Sequence, residues 1–263
     1  GRFMKQRFDL KEKIVPVVGD VVAAFRELIR DDYHFIITNL APKVLLRVAD
    51  LAEAKEVLIF NAGAPDDILR TDQCRANVLH TIPSRAMMAD ALAQYLSRKR
   101  WSKWFLVVGR RNEDRLFAES VKRAAKRFGA KIVAEKKWEF GPDARRTAQS
   151  EVPVFTQDVD YDVLIAADEI GEFGEYLMYR TWEPRLVAGT QGLVPTNWDR
   201  VHEQWGAAQL QSRFFKTFER WMNQQDYGFW TAVRTIGEGA TRTGSADFKN
   251  IIGYIHGDKF GLA

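Results

Sequence analysis

Short apolar runs rich in β-branched residues alternate with longer amphipathic stretches along most of the 263 residues of the chain. This alternation constrains the fold more than any other feature, because it is typical of parallel strands joined by crossover helices. In the first part of the chain it predicts strands at residues 13–18, 33–38 and 56–60, and helices at residues 20–30 and 42–54. We therefore predict an α/β fold built on mostly parallel sheets with helices on their faces.

A second series of the same kind follows an irregular stretch at residues 61–81, and it starts with a predicted helix at residues 83–98. The elements predicted after it are strands at 104–108, 131–135, 162–167 and 185–188, helices at 112–128 and 171–179, and a mixed segment at 143–156. From residue 204 the pattern is helical, with predicted helices at 209–223 and 227–242. Two successive α/β series predict two lobes, and ligands favour the crevice between such domains.

Composition and charge exclude several classes of protein. The longest apolar runs, such as residues 57–60 and 105–108, are far shorter than the roughly 20 residues of a membrane-spanning helix. The single cysteine excludes an intrachain disulfide framework and any zinc site built from cysteines. Residues 98–146 contain 16 Lys and Arg against 6 Asp and Glu, but residues 81–205 contain 20 against 18. This near balance argues against a nucleic-acid partner and leaves a local concentration of cations.

The sequence lacks the motifs that would indicate catalysis. It contains no nucleophile elbow, no phosphate-binding loop, no dinucleotide fingerprint after a strand, and no zinc-protease motif. The four histidines lie far apart without the spacing of metal ligands. We therefore expect a protein that is not an enzyme, with no catalytic cofactor and no metal.

Polar and cationic residues follow several of the predicted strands. Asn39 and Lys43 surround the start of a predicted helix at Pro42, where free backbone N–H groups favour an anion. An equally plausible alternative is that Asn39 caps this helix. Arg110 and Arg111 follow the first strand of the second series, and paired arginines suit carboxylate or phosphate groups. Together these loops predict a cleft for a small anionic ligand.

The order of elements resembles the type I periplasmic binding proteins of ABC importers. The resemblance is carried by Leu-Ile-Phe-Asn-Ala-Gly-Ala at residues 58–64, His-Thr-Ile-Pro-Ser at residues 80–84, and Asp-Tyr-Gly-Phe-Trp-Thr-Ala-Val at residues 226–233. It implies a two-lobed fold in which residues 1–80 and 206–263 form a discontinuous lobe 1 and residues 81–205 form lobe 2, with the ligand cleft between them. It also implies that elements before residue 13 and after residue 260 lie outside this sequence.

Three runs resemble, more narrowly, the ABC-type substrate-binding family found with pyrroloquinoline quinone (PQQ)-dependent alcohol dehydrogenase systems. They are Cys-Arg-Ala-Asn-Val-Leu-His-Thr at residues 74–81, Asp-Glu-Ile-Gly-Glu-Phe-Gly-Glu-Tyr at residues 168–176, and Gly-Thr-Gln-Gly-Leu-Val-Pro-Thr at residues 189–196. This resemblance implies a periplasmic protein with an ABC permease as partner, a functional link to a PQQ-dependent dehydrogenase system, and PQQ as bound ligand. No insertion into the membrane is expected.

PQQ is a planar aromatic molecule with three carboxylates, so a site for it needs cations and aromatic faces. Where amino acid binders of the resembled group commonly place an acidic residue, this chain has Gln191. The candidate ligand-binding residues are Asn39, Lys43, Asn61, Gly63, Arg85, Arg110, Arg111, Glu169, Phe173, Gln191 and Trp198. The alternatives are an amino acid, an amide or another small metabolite as ligand, or a sensory or regulatory domain of the same fold.

Overall fold

The computed structural model of the chain describes residues 7–139 and 144–262, apart from the side chains of residues 144–147. The chain forms two compact units. Unit 1 is the chain up to Pro83 together with the part from Asn197 onward, and unit 2 is Ser84–Thr196. The boundaries thus fall after Pro83 and Thr196 rather than after residues 80 and 205, which assigns Trp198 to unit 1.

Unit 1 contains a parallel sheet of three strands in the order β1-β2-β3. The strands are β1 (Phe35–Thr38), β2 (Leu58–Asn61) and β3 (Val78–His80), and the helices are α1 (Val21–Arg30), α2 (Pro42–Ala49), α7 (Ala207–Phe218), α8 (Gln224–Thr243) and α9 (Phe248–Ile255). Short 3-10 helices lie at Ala52–Glu56 and Asp67–Arg70.

Both faces of the unit 1 sheet are covered by apolar side chains. Ile36 and Ile59 belong to a buried cluster with residues of α1 and α2. Leu58 and Phe60 belong to a second cluster with residues of α8 and α9. Because neighbouring residues of a strand point to opposite faces, helices must cover both sides, as the apolar run at residues 57–60 predicts.

Unit 2 contains a parallel sheet of four strands in the order β5-β4-β6-β7. Its strands are β4 (Lys103–Val108), β5 (Lys131–Lys137), β6 (Val163–Ala167) and β7 (Leu186–Gly189), and its helices are α3 (Arg85–Arg98), α4 (Asn112–Arg127), α5 (Ala144–Thr156) and α6 (Gly174–Leu177). Helices α3 and α4 contribute to one core cluster, and α5 and α6 contribute to the other.

Several predicted elements differ from the structure. Residues 13–18 form no strand: Pro16 accepts a turn hydrogen bond from Gly19, and the Val17 and Val18 side chains are exposed. The helix predicted at 42–54 ends at Ala49, because Leu51 adopts an extended conformation. Strand β3 and helix α9 were not predicted, and the mixed segment at 143–156 is mainly α5, with residue 143 outside the described part.

The helix predicted at residues 171–179 is reduced to the single turn of α6. After this turn the backbone becomes extended at Met178 and has a positive φ of 64° at Tyr179, which ends the helix. In the described part of the chain, no helix has the length and hydropathy needed to span a membrane.

Candidate functional site

Two of the predicted ligand loops of unit 1 touch each other. A Cβ atom at Gly63 would lie 2.3 Å from Asn39 Oδ1 and 2.8 Å from Asn39 Cα, so the loops after β1 and β2 meet at a point where only glycine fits. Parallel pairing of β1 with β2 brings their carboxyl ends to the same edge of the sheet. The structure therefore brings Asn39 and Gly63 together.

Asn61 has a different role from the predicted one, because its side chain is buried and bonded within its own loop. Its Oδ1 accepts hydrogen bonds from the backbone N–H groups of Gly63 (3.1 Å) and Ala64 (2.9 Å). Its Nδ2 donates to the carbonyl of Ala64 at 2.8 Å and lies 2.9 Å from Nδ1 of His80. The amide therefore fixes the shape of the loop and leaves no polar atom for a ligand.

His80, at the end of β3, completes this arrangement and was not among the predicted site residues. Burial and the nearby positive charge of Arg70 lower the pKa of His80 to about 4. The ring is therefore neutral at pH 7, and its Nδ1 accepts the second N–H of the Asn61 amide. Only the pairing of β2 with β3 makes this contact possible, so no local sequence pattern predicts it.

Lowering the pH should destabilise unit 1 through His80. The pKa of His80 is about 4 in the fold against 6.5 in the unfolded chain, so the unfolded state binds more protons between these values and stability falls as the pH falls through this window. After a discount for the partial solvent exposure of the His80 ring, we expect the free energy of unfolding to fall by about 2 kcal/mol. Urea unfolding at pH 7 and pH 4.5 checks this, with His80→Gln as a variant that cannot titrate there. A difference between the two proteins that stays constant with pH would contradict it.

Asn39 does not cap helix α2, so that alternative is wrong. The N-cap residue is Ala41, and no side chain caps the helix there. Pro42 occupies the first turn, and Lys43 beside it is exposed. Within the described part of the chain Lys43 has no ion pair. Helix α2, which follows β1, therefore begins without a side-chain cap. The ammonium group of Lys43 in its first turn has no ion pair in the described structure.

In unit 2, the loop after β6 is organised by Asp168. Its carboxylate is buried and accepts three backbone N–H groups, from Glu172 (2.8 Å), Phe173 (2.8 Å) and Gly174 (2.7 Å). The N–H of Asp168 itself donates to the hydroxyl of Thr190, which follows β7. The buried carboxylate thus holds the loop after β6 in place through three backbone hydrogen bonds.

Glu169 is paired with Arg85 at the start of α3. Nε and Nη2 of Arg85 donate to the two carboxylate oxygens of Glu169 at 2.6 Å and 2.8 Å, and Arg85 is only 5% exposed. The N–H of Glu169 donates to Asp114 at 2.8 Å, and burial raises the pKa of Asp114. The structure brings Arg85 and Glu169 together as a partly buried two-point ion pair.

The two arginines after β4 have different surroundings. Arg111 donates to one carboxylate oxygen of Glu172 through Nε (3.0 Å) and Nη2 (2.7 Å), in a pair that is open to solvent. Arg110 is exposed, and its Nε donates to the carbonyl of Trp138 at 3.2 Å. Arg110 is thus bonded to the residue that follows β5, and Arg111 to the loop after β6.

The predictions that Phe173 and Trp198 face a ligand are not supported by their positions. Phe173 is 1% exposed and stacks on Trp138 with 4.9 Å between ring centroids, so it belongs to the core of unit 2. Trp198 is buried in unit 1 and stacks on Tyr227 at 4.7 Å. Both rings therefore pack against aromatic neighbours, as buried aromatic side chains commonly do.

Gln191 lies at the loop that Asp168 organises. A Cβ atom at Gly174 would lie 2.4 Å from Cγ of Gln191, so the loops after β6 and β7 are in contact. Gln191 is only half-buried and has no hydrogen bond within the described residues. Its amide is therefore available to a ligand. The described residues contain no group of His, Cys, Asp and Glu side chains that could hold a metal ion.

Comparison with known proteins gives one family match. The family model for the periplasmic binding protein matches residues 18–149. No curated protein matches the chain.

Several solved structures share the fold. A branched-chain amino acid ABC transporter periplasmic ligand-binding protein from Burkholderia xenovorans is 15% identical, with a TM-score of 0.73 over 91% of this chain and 69% of that one. An ABC transporter solute-binding protein from Rhodopseudomonas palustris, in complex with 3,4-dihydroxybenzoic acid, is 16% identical with a TM-score of 0.63 (88% and 69%). A Burkholderia mallei periplasmic binding protein is 17% identical, also with a TM-score of 0.63; the match covers 88% of this chain but only 66% of that one. At these identities the likeness establishes the fold alone.

Proposed function

Because the chain belongs to the periplasmic binding protein family, we propose that it is the solute-binding component of an ABC uptake system in the periplasm. In this role it binds a small ligand, delivers it to a membrane permease and performs no chemistry on it. We propose PQQ as the ligand, and with it a functional link to a PQQ-dependent dehydrogenase system.

The observation that carries the ligand class is that acidic side chains around the ends of β4 and β6 are already bonded inside unit 2. Asp168 accepts three backbone N–H groups, and Asp114 accepts the N–H of Glu169 and of Arg111. Glu169 and Glu172 are held by arginines. A ligand ammonium group would have to displace one of these donors, and displacing a charged donor at a buried position costs several kcal/mol. This arrangement supports an anionic or neutral ligand over an amino acid.

Lys43 supports the same choice from unit 1. It is an exposed cation without an ion pair in the described structure, beside the uncapped start of α2, where a carboxylate gains both the charge of the ammonium group and the helix dipole. Arg110, after β4 of unit 2, is also exposed, and its Nε donates to the carbonyl of Trp138. PQQ carries three carboxylates, and the Lys43 ammonium group can hold one of them.

Titration of the purified protein with PQQ tests the ligand. We expect saturable quenching of tryptophan fluorescence at micromolar PQQ, and weaker binding of 3,4-dihydroxybenzoate, which has one carboxylate and which the Rhodopseudomonas palustris protein holds. Leucine is the third ligand to be titrated, because the Burkholderia xenovorans protein of the same fold is described as a component of a branched-chain amino acid ABC transporter. Leucine binding more tightly than PQQ would favour the amino acid alternative, and turnover of a quinone or an alcohol would contradict a pure binding function.

Lys43→Ala should weaken the binding of PQQ by about 1–3 kcal/mol, roughly a factor of 5 to 150, because a charge-assisted hydrogen bond to a carboxylate is lost. Calorimetric titration of wild type and variant measures the change. Lys55→Ala is the matched control, since Lys55 is also an exposed lysine of unit 1 but lies in the 3-10 helix before β2. Equal affinities of the Lys43 variant and wild type would move the carboxylate site away from α2.

A further inference from the structure

The chain between Trp198 and Met222 buries very little of itself in unit 1. Within residues 199–221, all of which the structure describes, only Ala207 and Gln211 are buried, and almost all the others are exposed. Helix α8, which follows directly, buries six residues. We refer to residues 199–221 as the α7 flap. A segment with so few buried residues opens at a lower free energy than the rest of its domain.

Gln211 is the weak point in the attachment of the α7 flap. It lies four residues after Ala207 and three before Phe214, so it is on the face of α7 that packs against unit 1. Gln211 is 4% exposed, and within the described residues neither its Nε2 nor its Oε1 has a hydrogen-bond partner. Burying an unpaired amide costs free energy. One of the two buried side chains of the flap therefore opposes its attachment.

The backbone at both ends of α7 is strained. The φ angles of Trp205 (58°) and Glu219 (55°) are positive, which is uncommon for residues other than glycine, and Gly206 between Trp205 and the helix has a φ of 76°. No side chain caps the start of α7 at Gly206. Residues at the ends of an element absorb the φ changes of a hinge, and here such a change relieves strain. The two ends of α7 therefore do not resist its displacement.

The α7 flap is held together by its own aromatic contacts. The rings of Phe214 and Phe218 lie 4.7 Å apart, and those of Phe215 and Trp221 lie 4.6 Å apart. The guanidinium of Arg200, near the start of the flap, lies 5.6 Å from the centre of the Trp221 ring near its end. These contacts do not depend on the rest of unit 1. They favour an opening in which the whole flap takes part.

The residues on either side of the α7 flap are firmly anchored. Trp198 is 7% exposed and Met222 is 6% exposed, and both belong to one buried cluster of unit 1. Arg220 forms a two-point ion pair with Asp226 of α8, two residues before Met222. Both connections of the flap thus start from fixed points, and the ion pair ties it close to one of them.

The aromatic rings under α7 adjoin the loops after β2 and β3. Tyr227 and Trp230 of α8 lie 5.5 Å apart, nearly parallel, and pack against the cluster to which α7 contributes. A Cβ atom at Gly228 would lie 2.7 Å from Cγ2 of Ile82 and 3.8 Å from Cβ of Ala62. The start of α8 therefore packs on the residues that follow β3 and β2, and the flap covers an aromatic surface beside them.

We propose that the α7 flap detaches from unit 1 as one cooperative unit while the sheet and α8 remain folded, and that the unpaired amide of Gln211 sets how often it does so. Each opening uncovers the rings of Tyr227 and Trp230. The flap is thus a cover over an aromatic surface that adjoins the loops after β2 and β3.

Hydrogen exchange of the full chain, followed by mass spectrometry, tests the proposal. The amides of α7 should show one common protection factor, at least about a hundredfold below that of residues 232–240 in α8. Gln211→Met removes both unpaired polar atoms at nearly constant side-chain length, so it should raise the protection of α7 about tenfold. The protection of residues 232–240 should stay the same in this variant.

A thiol probe reports on the surface that the opening uncovers. Cys74→Ser removes the single cysteine, and Ala207→Cys then places a thiol on the packed face of α7, at a position that is 4% exposed. A maleimide should label this thiol at least about a hundredfold faster than one introduced by Ala232→Cys in α8, where the exposure is 0%. Circular dichroism checks the folding of each variant, and Ala54, also 0% exposed in unit 1, is a second reference position.

Gln209→Met is the matched control for Gln211→Met, since Gln209 is exposed on the same helix. It should leave the protection of α7 unchanged. Equal protection of α7 and α8, or protection that varies gradually along α7, would overturn the proposal, because the helix would then open only with the whole unit or fray from its ends. So would unchanged protection of α7 in Gln211→Met. None of these measurements involves a ligand, so their outcome is independent of the PQQ titration.

Discussion

Replacing Asp168 with alanine should lower the free energy of unfolding of unit 2 by about 3–5 kcal/mol. The carboxylate is 1% exposed and accepts three backbone N–H groups, two of which belong to the buried residues Phe173 and Gly174. Alanine leaves these donors without an acceptor in a place that excludes water, and it also leaves a cavity beneath the loop. Urea denaturation followed by circular dichroism measures the loss.

Two further variants show whether the acceptor role is the cause. Asp168→Asn keeps one carbonyl oxygen and should lose less, about 1–2 kcal/mol. Glu175→Ala changes an exposed acid three residues beyond Glu172 and should leave stability within about 0.5 kcal/mol of wild type. A loss below about 1 kcal/mol for the alanine variant would mean that the loop finds other acceptors.

Gly189→Ala should destabilise unit 2 by about 2–5 kcal/mol, the sum of backbone strain and steric overlap. Gly189 ends β7 with φ of 106°, and a Cβ atom there would lie 2.3 Å from the backbone carbonyl oxygen of Ala166 in β6. A backbone atom in the middle of a sheet cannot move aside as a flexible side chain can. The thermal unfolding temperature of the variant should fall accordingly.

Gly129→Ala is the matched control for this prediction. Gly129 also has a positive φ, 74°, but nothing lies within 4 Å of a Cβ atom at that position. The Gly129→Ala variant therefore has the energetic cost of a positive φ but no steric overlap. Its free energy of unfolding should fall by only about 1 kcal/mol. Equal losses in the two variants would show that the close approach to β6 has no energetic effect.

The elements that the sequence predicts best are those whose limits depend on local interactions. Helix α1 begins where the side chain of Asp20 accepts the N–H of Ala23, and α3 begins where Ser84 accepts the N–H of Met87. Such caps are visible as residue types at the right spacing. The apolar runs of β2, β4 and β6 are equally clear, because strands buried on both faces have no polar positions to confuse the pattern.

The strand predicted at residues 13–18 shows that a local sequence pattern carries no information about strand pairing. Its apolar residues have strand character, but a strand exists only where another strand pairs with it, and pairing is a property of the whole fold. In the structure Lys13 instead binds Glu27 of α1 at 2.6 Å, and Ile14 is exposed. The very short β3 was missed for the converse reason, since its pairing with β2 defines it more than its sequence does.

Contacts between the predicted loops follow from the order of strands, whereas the bonding of each side chain in them does not. The loops after β1 and β2 contact each other, as do those after β6 and β7, which follows from parallel pairing. The role of each side chain depends on partners that are distant in sequence, such as Arg85 for Glu169 and His80 for Asn61. Phe173 was assigned to a ligand because a planar aromatic ligand needs aromatic faces, whereas Trp138, 35 positions earlier in the sequence, covers its ring.

The internal bonding of Asp168 and Asn61 has a consequence for the kinetics of ligand capture. Loops whose N–H groups are already satisfied by a buried acceptor are ordered before any ligand arrives, so their conformational entropy is lost during folding and not during binding. Within each unit, association then requires no slow rearrangement of the loops after β2 and β6. Affinity differences among ligands should therefore be found mainly in the dissociation rate constant, with association rate constants that vary little from one ligand to another.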